Sequence, residues 1–464
     1  TNGANPFIYQ HNYWTTPDAT IDNAPLSELN ASPSHKVTTA YLQDTWNALP
    51  NLTINAGVRW DRQQIIDSAG VQQIDLKHDY APRFGFVWDP TKDHRSKVYG
   101  SFGRYYEQIP MDLVIRSYSY ERQPHILNYS PTDFHPDDNA AADLCFGDPS
   151  CTSHSAIVGA NIEPADPNLH GQYLREFVIG GEREVMPDFA VGIKYVYRNY
   201  GEVIEDFLSD PVNGVYSIGN PGEGIMKSVF DYNYDSTPYP AEKAQRIFRG
   251  VEIDATKRFS NRWSLLASYL WSKLDGNYDG EFAPFTNIGA DPNISAAYDY
   301  ADFQTNHFLN GDPGDMTPIT NRGPLSNDHR SQAKLSGTYT APFGLNVGLT
   351  TYYQTGTPLS RMGFVNGYGR YEIFLTKRGS EGRTPNIYEA DLHLGYPLVI
   401  KPVTVNLMAD IFNLLNAQRP VLLDQRWDFD EGDNSSPVPT NPNYKKPVLR
   451  QPPRSVRFGV RVSF

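Results

Sequence analysis

The residues best suited to chemistry lie between the periodic stretches of this sequence rather than within them. Asp275, Asn277, Asp279 and Gly280 (DGNYDG) reproduce the opening of a calcium-binding EF-hand loop, with alternating oxygen ligands and a glycine for the sharp turn. The twelfth position, which should supply a bidentate Glu, is Thr286, and no helices are expected on either side. A turn-rich acidic loop is therefore the preferred reading over a calcium site. His135, Asp137 and Asp138 (HPDD) could touch a metal, but a solvated loop is again preferred, and no metal centre is expected. Cys145 and Cys151, the only cysteines, lie close together in a polar stretch rich in Asp and Pro. A local disulfide in an oxidising compartment is expected there, two unrelated thiols being the alternative. Gly100 and Gly103 (YGSFGR) sit in a strand-like run without the helix that a phosphate would need. No Ser/His/Asp set, GxSxG or HExxH supports catalysis, so neither an enzyme nor a cofactor is expected.

What positions these loops is a regular series of segments of period two. They run over 36–46, 51–62, 81–89, 96–106, 171–184, 188–199, 246–259, 261–272, 329–340, 343–355, 386–396, 402–413 and 454–464. Successive side chains of a strand point to opposite faces, so each segment can be split into two faces. In 51–62, Leu52, Ile54, Ala56, Val58 and Trp60 share one face and Thr53, Asn55, Gly57, Arg59 and Asp61 the other. In 261–272 the apolar face carries Trp263, Leu265, Ala267, Tyr269 and Trp271, with Ser264, Ser268 and Ser272 opposite. Charges collect on the second face: Glu252, Asp254 and Arg258; Glu389, Asp391 and His393; Asn406 and Asp410. The joints alternate. Short turns follow every other segment, and the rest are joined by long stretches at 63–80, 107–170, 200–245, 273–328, 356–385 and 414–453.

Long irregular connections argue against a soluble domain. They suit a transmembrane antiparallel β-barrel, which has short periplasmic turns, long extracellular loops, an apolar outside and a tolerance for charge inside. Mean hydropathy is −0.52, too polar for a helical membrane protein, and 30 Tyr, 23 Phe and 7 Trp supply material for interfacial girdles. Trp263 and Trp271 are separated by roughly 20 Å of depth on a tilted strand, one at each interface, and Trp60 is a third interfacial candidate. A net charge of −13 disfavours nucleic acid as a partner. The last segment, RSVRFGVRVSF, turns Val456, Phe458, Val460, Val462 and Phe464 to one face and Arg457 and Arg461 to the other. Tyr- and Asn-rich loops such as 118–138 and 298–308 suit ligand contact, although exposed loops commonly share that composition.

The stretches AYLQDTWNALPNLTINAGVRWD (40–61), APRFGFVWDPT (81–91), VYGSFGRYYEQIP (98–110), VNLMADIFNLLN (405–416) and RFGVRVSF (457–464) resemble TonB-dependent outer-membrane receptors, most closely the large Oar-like branch. The resemblance covers nearly the whole chain outside the loop interiors. It implies the C-terminal thirteen or so strands of a 22-stranded barrel in the outer membrane of a Gram-negative-type bacterium. A plug domain and a TonB-binding segment would precede Thr1, so the chain is expected to be a part, with residues 6–14 only hinting at the preceding strand. The implied partners are outer-membrane lipid, the TonB complex through that N-terminal region, the barrel-assembly machinery reading Val456 to Phe464, and an extracellular ligand. The implied function is energised uptake of a bulky substrate. The alternatives are a passive porin or adhesin-type barrel and a soluble carbohydrate-binding β protein.

Overall fold

The computed structural model describes residues 9–12, 32–109, 111–118, 123–128, 157–158, 163–210, 215–230, 238–240, 242–280, 322–365, 370–427 and 440–464. Thirteen strands follow one another in chain order through a single antiparallel sheet. They are β1 (Ser34–Leu49), β2 (Leu52–Ile66), β3 (Gln72–Trp88), β4 (Ser96–Tyr106), β5 (Tyr173–Met186), β6 (Phe189–Gly201) and β7 (Arg246–Ser260). The series continues with β8 (Trp263–Gly276), β9 (Ser331–Thr340), β10 (Asn346–Gln354), β11 (Ile387–Ile400), β12 (Val403–Phe412) and β13 (Ser455–Ser463). A fourteenth, Gly323–Pro324, adds to the end of β8. Among the described residues no helix is long and apolar enough to cross a membrane.

Pairing register carries the two faces across the sheet. Trp60 lies opposite Tyr80, Phe84 opposite Phe102, Phe102 opposite Phe177, Ile179 opposite Tyr195, and Val251 opposite Trp271. The same face continues through Leu349 opposite Leu392, Leu394 opposite Ala409, and Leu407 opposite Val460. The other face pairs charge with charge at directly opposed positions, where cross-strand pairs interact most strongly. Lys97 bonds Glu182 at 2.9 Å, Lys194 bonds Glu252 at 3.0 Å, and Arg198 bonds Glu176 at 2.6 Å. Asp410 receives His393 at 2.6 Å and Arg457 at 2.9 Å. Arg258 lies where the register slips between Lys257 and Ser260, so pairing does not place it on either face.

The expected loop over 63–80 is corrected. β2 runs on to Ile66 and β3 begins at Gln72, leaving a five-residue turn at 67–71. The reason is a small apolar core beyond the wall. Ile65, Ile74 and Leu76, at every second position, are buried with Ile109, Leu113, Val114, Tyr118 and Ile218. Leu113, Val114 and Tyr118 come from the helix α1 (Met111–Tyr118), which the segment reading did not foresee. The hint of a wall strand near residues 6–14 is also corrected. Tyr9–Asn12 pairs with Gln123–Asn128 in a small separate sheet. Elsewhere the joints alternate as read: two residues at 187–188, 261–262 and 401–402, against 202–245 or 277–330 on the other end.

Candidate functional site

The long connections all leave one end of the wall, and their described parts pack into a polar rim above it. Glu107, Gln172, Tyr200, Arg246, Asp279 and Asn327 line a cavity of about 450 Å³ there. Each stands just beyond, or at the end of, a different wall strand or loop, so the rigid sheet sets their spacing. Glu107 is fixed twice: its N–H donates to the Gln172 carbonyl at 2.9 Å, and Gln172 Nε2 donates to its Oε2 at 2.5 Å. Gln172 Oε1 in turn accepts the N–H of Ile204 at 3.0 Å. Buried Gln63 holds the end of β4 by donating to the Glu107 carbonyl at 2.9 Å and accepting the N–H of Ile109 at 3.0 Å. A carboxylate, an amide, a phenol and a guanidinium facing one polar space can grip hydroxyl- or amide-rich ligands by directed hydrogen bonds.

Two buried carboxylates lock the rim's far side. Asp279 is paired with Arg378, the two side chains being 3% and 2% exposed, and accepts the Ser326 N–H at 2.9 Å. Asp328 accepts the Leu274 N–H at 2.7 Å and binds Arg330 at 2.9 Å and Arg383. Arg383 also donates to the Gly356 carbonyl at 2.7 Å, and its pairing with Asp328 ties the 356–385 connection to the end of β8. Burial alone would raise the Asp279 pKa, but the Arg378 guanidinium, helped by Ser326, brings it below the ordinary 3.8. A lowered folded-state pKa means that the stabilisation is complete above 3.8 and is lost as pH falls toward the folded value. Protection factors of amides in residues 322–328 and 374–380, corrected for intrinsic exchange, should therefore be flat from pH 5 to 8 and fall below about pH 4. D279N should remove that acid-dependent fall.

The side chains of DGNYDG are held by other contacts than those of a calcium loop. Asp275 faces Arg249 at 3.3 Å and Lys273 at 3.2 Å. Asn277 accepts the Gln245 N–H at 2.6 Å and donates to the Lys243 carbonyl, while Asp279 is held by Arg378. The three side chains serve three different partners and do not converge. Thr286, the HPDD loop and Cys145 with Cys151 lie outside the described residues. A different set does converge: His170, Glu202 and Glu223 each offer a ligand atom within 4.8 Å of the others. Buried Asn220 collects their segments by donating to the His170, Glu202 and Val203 carbonyls. Lys243 already neutralises Glu223, so a cation would have to displace that ammonium.

The remaining residues singled out from sequence lie on the wall. Trp60 is half-buried and its Nε1 donates to the Lys77 carbonyl at 2.8 Å. Trp263 and Trp271 are exposed on the apolar face, with the Lys257 ammonium 5.1 Å from the Trp263 ring centroid. Val456, Phe458, Val460 and Val462 are exposed on that face of β13, and Phe464 is fully exposed beyond it. Sequence reasoning missed Gln63, Asn220 and Arg378, because the partners of Asn220 and Arg378 lie tens of residues away in other loops.

The sequence model of the family described as "Outer membrane beta barrel domain" matches residues 66–360. That is more than half of the chain, and the chain belongs to this family of outer-membrane β-barrels. The apolar face is thus the lipid side, the short turns are periplasmic, and the rim is extracellular. Among curated proteins, the TonB-dependent transporter Oar of Myxococcus xanthus is 28% identical over 520 aligned residues, covering 100% of this chain and 46% of that protein. Among solved structures, the FrpB iron transporter of Neisseria meningitidis is similar at 14% identity and TM-score 0.49, over 93% of this chain and 46% of that one. The siderophore receptor PiuA of Acinetobacter baumannii is similar at 12% identity and TM-score 0.46, over 93% and 43%. The chain spans less than half the length of these relatives.

Proposed function

We propose that this chain forms barrel wall and extracellular recognition surface of a TonB-dependent transporter that takes up a bulky substrate across the outer membrane. The observation that carries the reading is similarity along the entire chain to a protein named as such a transporter. The polar rim over a charged inner face supports it, because it offers a capture site continuous with the lumen. In this reading the rim binds ligand, TonB acts through chain N-terminal to these residues, and a plug fills the lumen. The open edges of β1 and β13, each paired on one side only, are then closed by further strands in a ring of about twenty-two. Val456, Phe458, Val460, Val462 and Phe464 serve the barrel-assembly machinery. Trp60, Trp263 and Trp271 anchor the wall at the interfaces, and Cys145 with Cys151 form a loop disulfide.

The competing reading within this family is a passive porin or adhesin-type barrel. The full-length protein reconstituted in a planar bilayer separates the two. A plugged transporter is expected to show no steady open-channel conductance, and to bind the purified periplasmic domain of TonB. Steady conductance together with no TonB binding would overturn the proposal.

A further inference from the structure

The lipid-facing side of the wall becomes cationic just below the rim. Arg104 of β4 stands directly opposite Arg175 of β5. The next row toward the membrane is Phe102 opposite Phe177, and the next row toward the rim is Tyr106 opposite Tyr173. Like charges directly opposed on one face of a ladder repel each other. Here they are gathered rather than splayed. The Arg104 guanidinium lies 4.4 Å and that of Arg175 5.4 Å from the centroid of the Tyr173 ring. Arg175 Nη2 donates to the Tyr173 hydroxyl at 2.8 Å and Arg104 Nη1 to that of Tyr106 at 3.3 Å. The Tyr173 ring itself lies over Gly201, where an added Cβ would come within 2.5 Å of its Cζ, so the platform beneath the arginines is fixed. Among the described residues no carboxylate forms an ion pair with either arginine.

A second cationic pair stands further along the sheet, on β7 and β8. Arg249 of β7 stands opposite Lys273 of β8, one row beyond Val251 and Trp271, and the two share the single carboxylate of Asp275. At these two places, four cations and one carboxylate border the apolar face at its extracellular end. Arginine's planar fork matches a phosphate, and two of them held on one platform can grip its oxygens together. The face on which they stand, and the Phe102, Phe177 and Ile179 surface below them, select an anion that carries hydrocarbon chains. We propose that Arg104 and Arg175 form a binding site for the phosphate headgroup of an outer-leaflet membrane lipid, whose acyl chains descend over Phe102, Phe177 and Ile179.

The test uses the full-length protein in detergent, with native mass spectrometry counting bound lipid across a titration. Bisphosphorylated lipid A, the same lipid with its phosphates removed, and inorganic phosphate are the three probes. The wild type is expected to bind the phosphorylated lipid at least tenfold more tightly than the dephosphorylated one. R104Q/R175Q should lose that preference, and R104K/R175K should keep part of it. Folding is read independently from heat-modifiable electrophoretic migration. Equal affinity of the wild type for the two lipids would overturn the proposal, and needs no variant to fold. Loss of binding when inorganic phosphate is added at millimolar concentration would also overturn it, by showing that the phosphate is held without its chains.

Discussion

Replacing Asp279 by Ala is expected to open the rim locally while the wall remains folded. The substitution leaves the Arg378 guanidinium buried against Phe374, at 4.4 Å from its ring, with no carboxylate to balance it. Removing one member of a buried pair typically costs about 3–5 kcal/mol, much of it the penalty of stranding the other charge. The segment around Arg378 should therefore lose hydrogen-exchange protection by two to three orders of magnitude, and become a site of rapid proteolytic nicking. Because the penalty lies in the stranded charge, D279A/R378M should recover most of the protection. An additive double variant would show that the pair is not the lock described above.

The second large effect separates the two faces of one strand. Ile253 sits mid-strand on β7 opposite Ile193 and Tyr269, on the face assigned to lipid. An arginine at the midplane of a barrel's lipid face costs about 2–4 kcal/mol. I253R should accordingly lower the unfolding midpoint in urea for protein reconstituted in phospholipid vesicles. Thr256, opposite Ala190 and Leu266, belongs to the polar face, where T256R should change stability by no more than about 0.5 kcal/mol. Similar losses at the two positions would contradict the assignment of faces.

These two predictions also mark where the sequence was legible. The faces of β7 and β8 could be read because a strand's period is local: Val251, Ile253 and Trp271 alternate with Glu252, Asp254 and Ser268 whatever lies elsewhere. For the same reason strand ends fell within a few residues of those expected, as at 246–259 against Arg246–Ser260. The exception, β3, began nine residues early. Lys77, His78 and Asp79 mask the alternation of Ile74 and Leu76, whose burial depends on a helix more than thirty residues downstream. The rim was not legible at all. Asp279 read as part of a turn-rich acidic loop, yet its partner is Arg378, 99 residues away. Contacts between loops leave no periodic trace in either partner. The arginine pair on the lipid side was hidden differently. Arg104 and Arg175 each look like an ordinary strand-end charge, and only the register between β4 and β5 sets them face to face.

A membrane wall with lipid on one side and water on the other is read out by single spin-labelled cysteines placed from 250 to 256, with Cys145 and Cys151 replaced by Ser, in reconstituted full-length protein. Collision with oxygen should peak at Val251, Ile253 and Ala255, and collision with a polar nickel chelate at Gly250, Glu252, Asp254 and Thr256. A scan without alternation, or with high nickel accessibility at Ile253, would show that the two faces do not divide lipid from water.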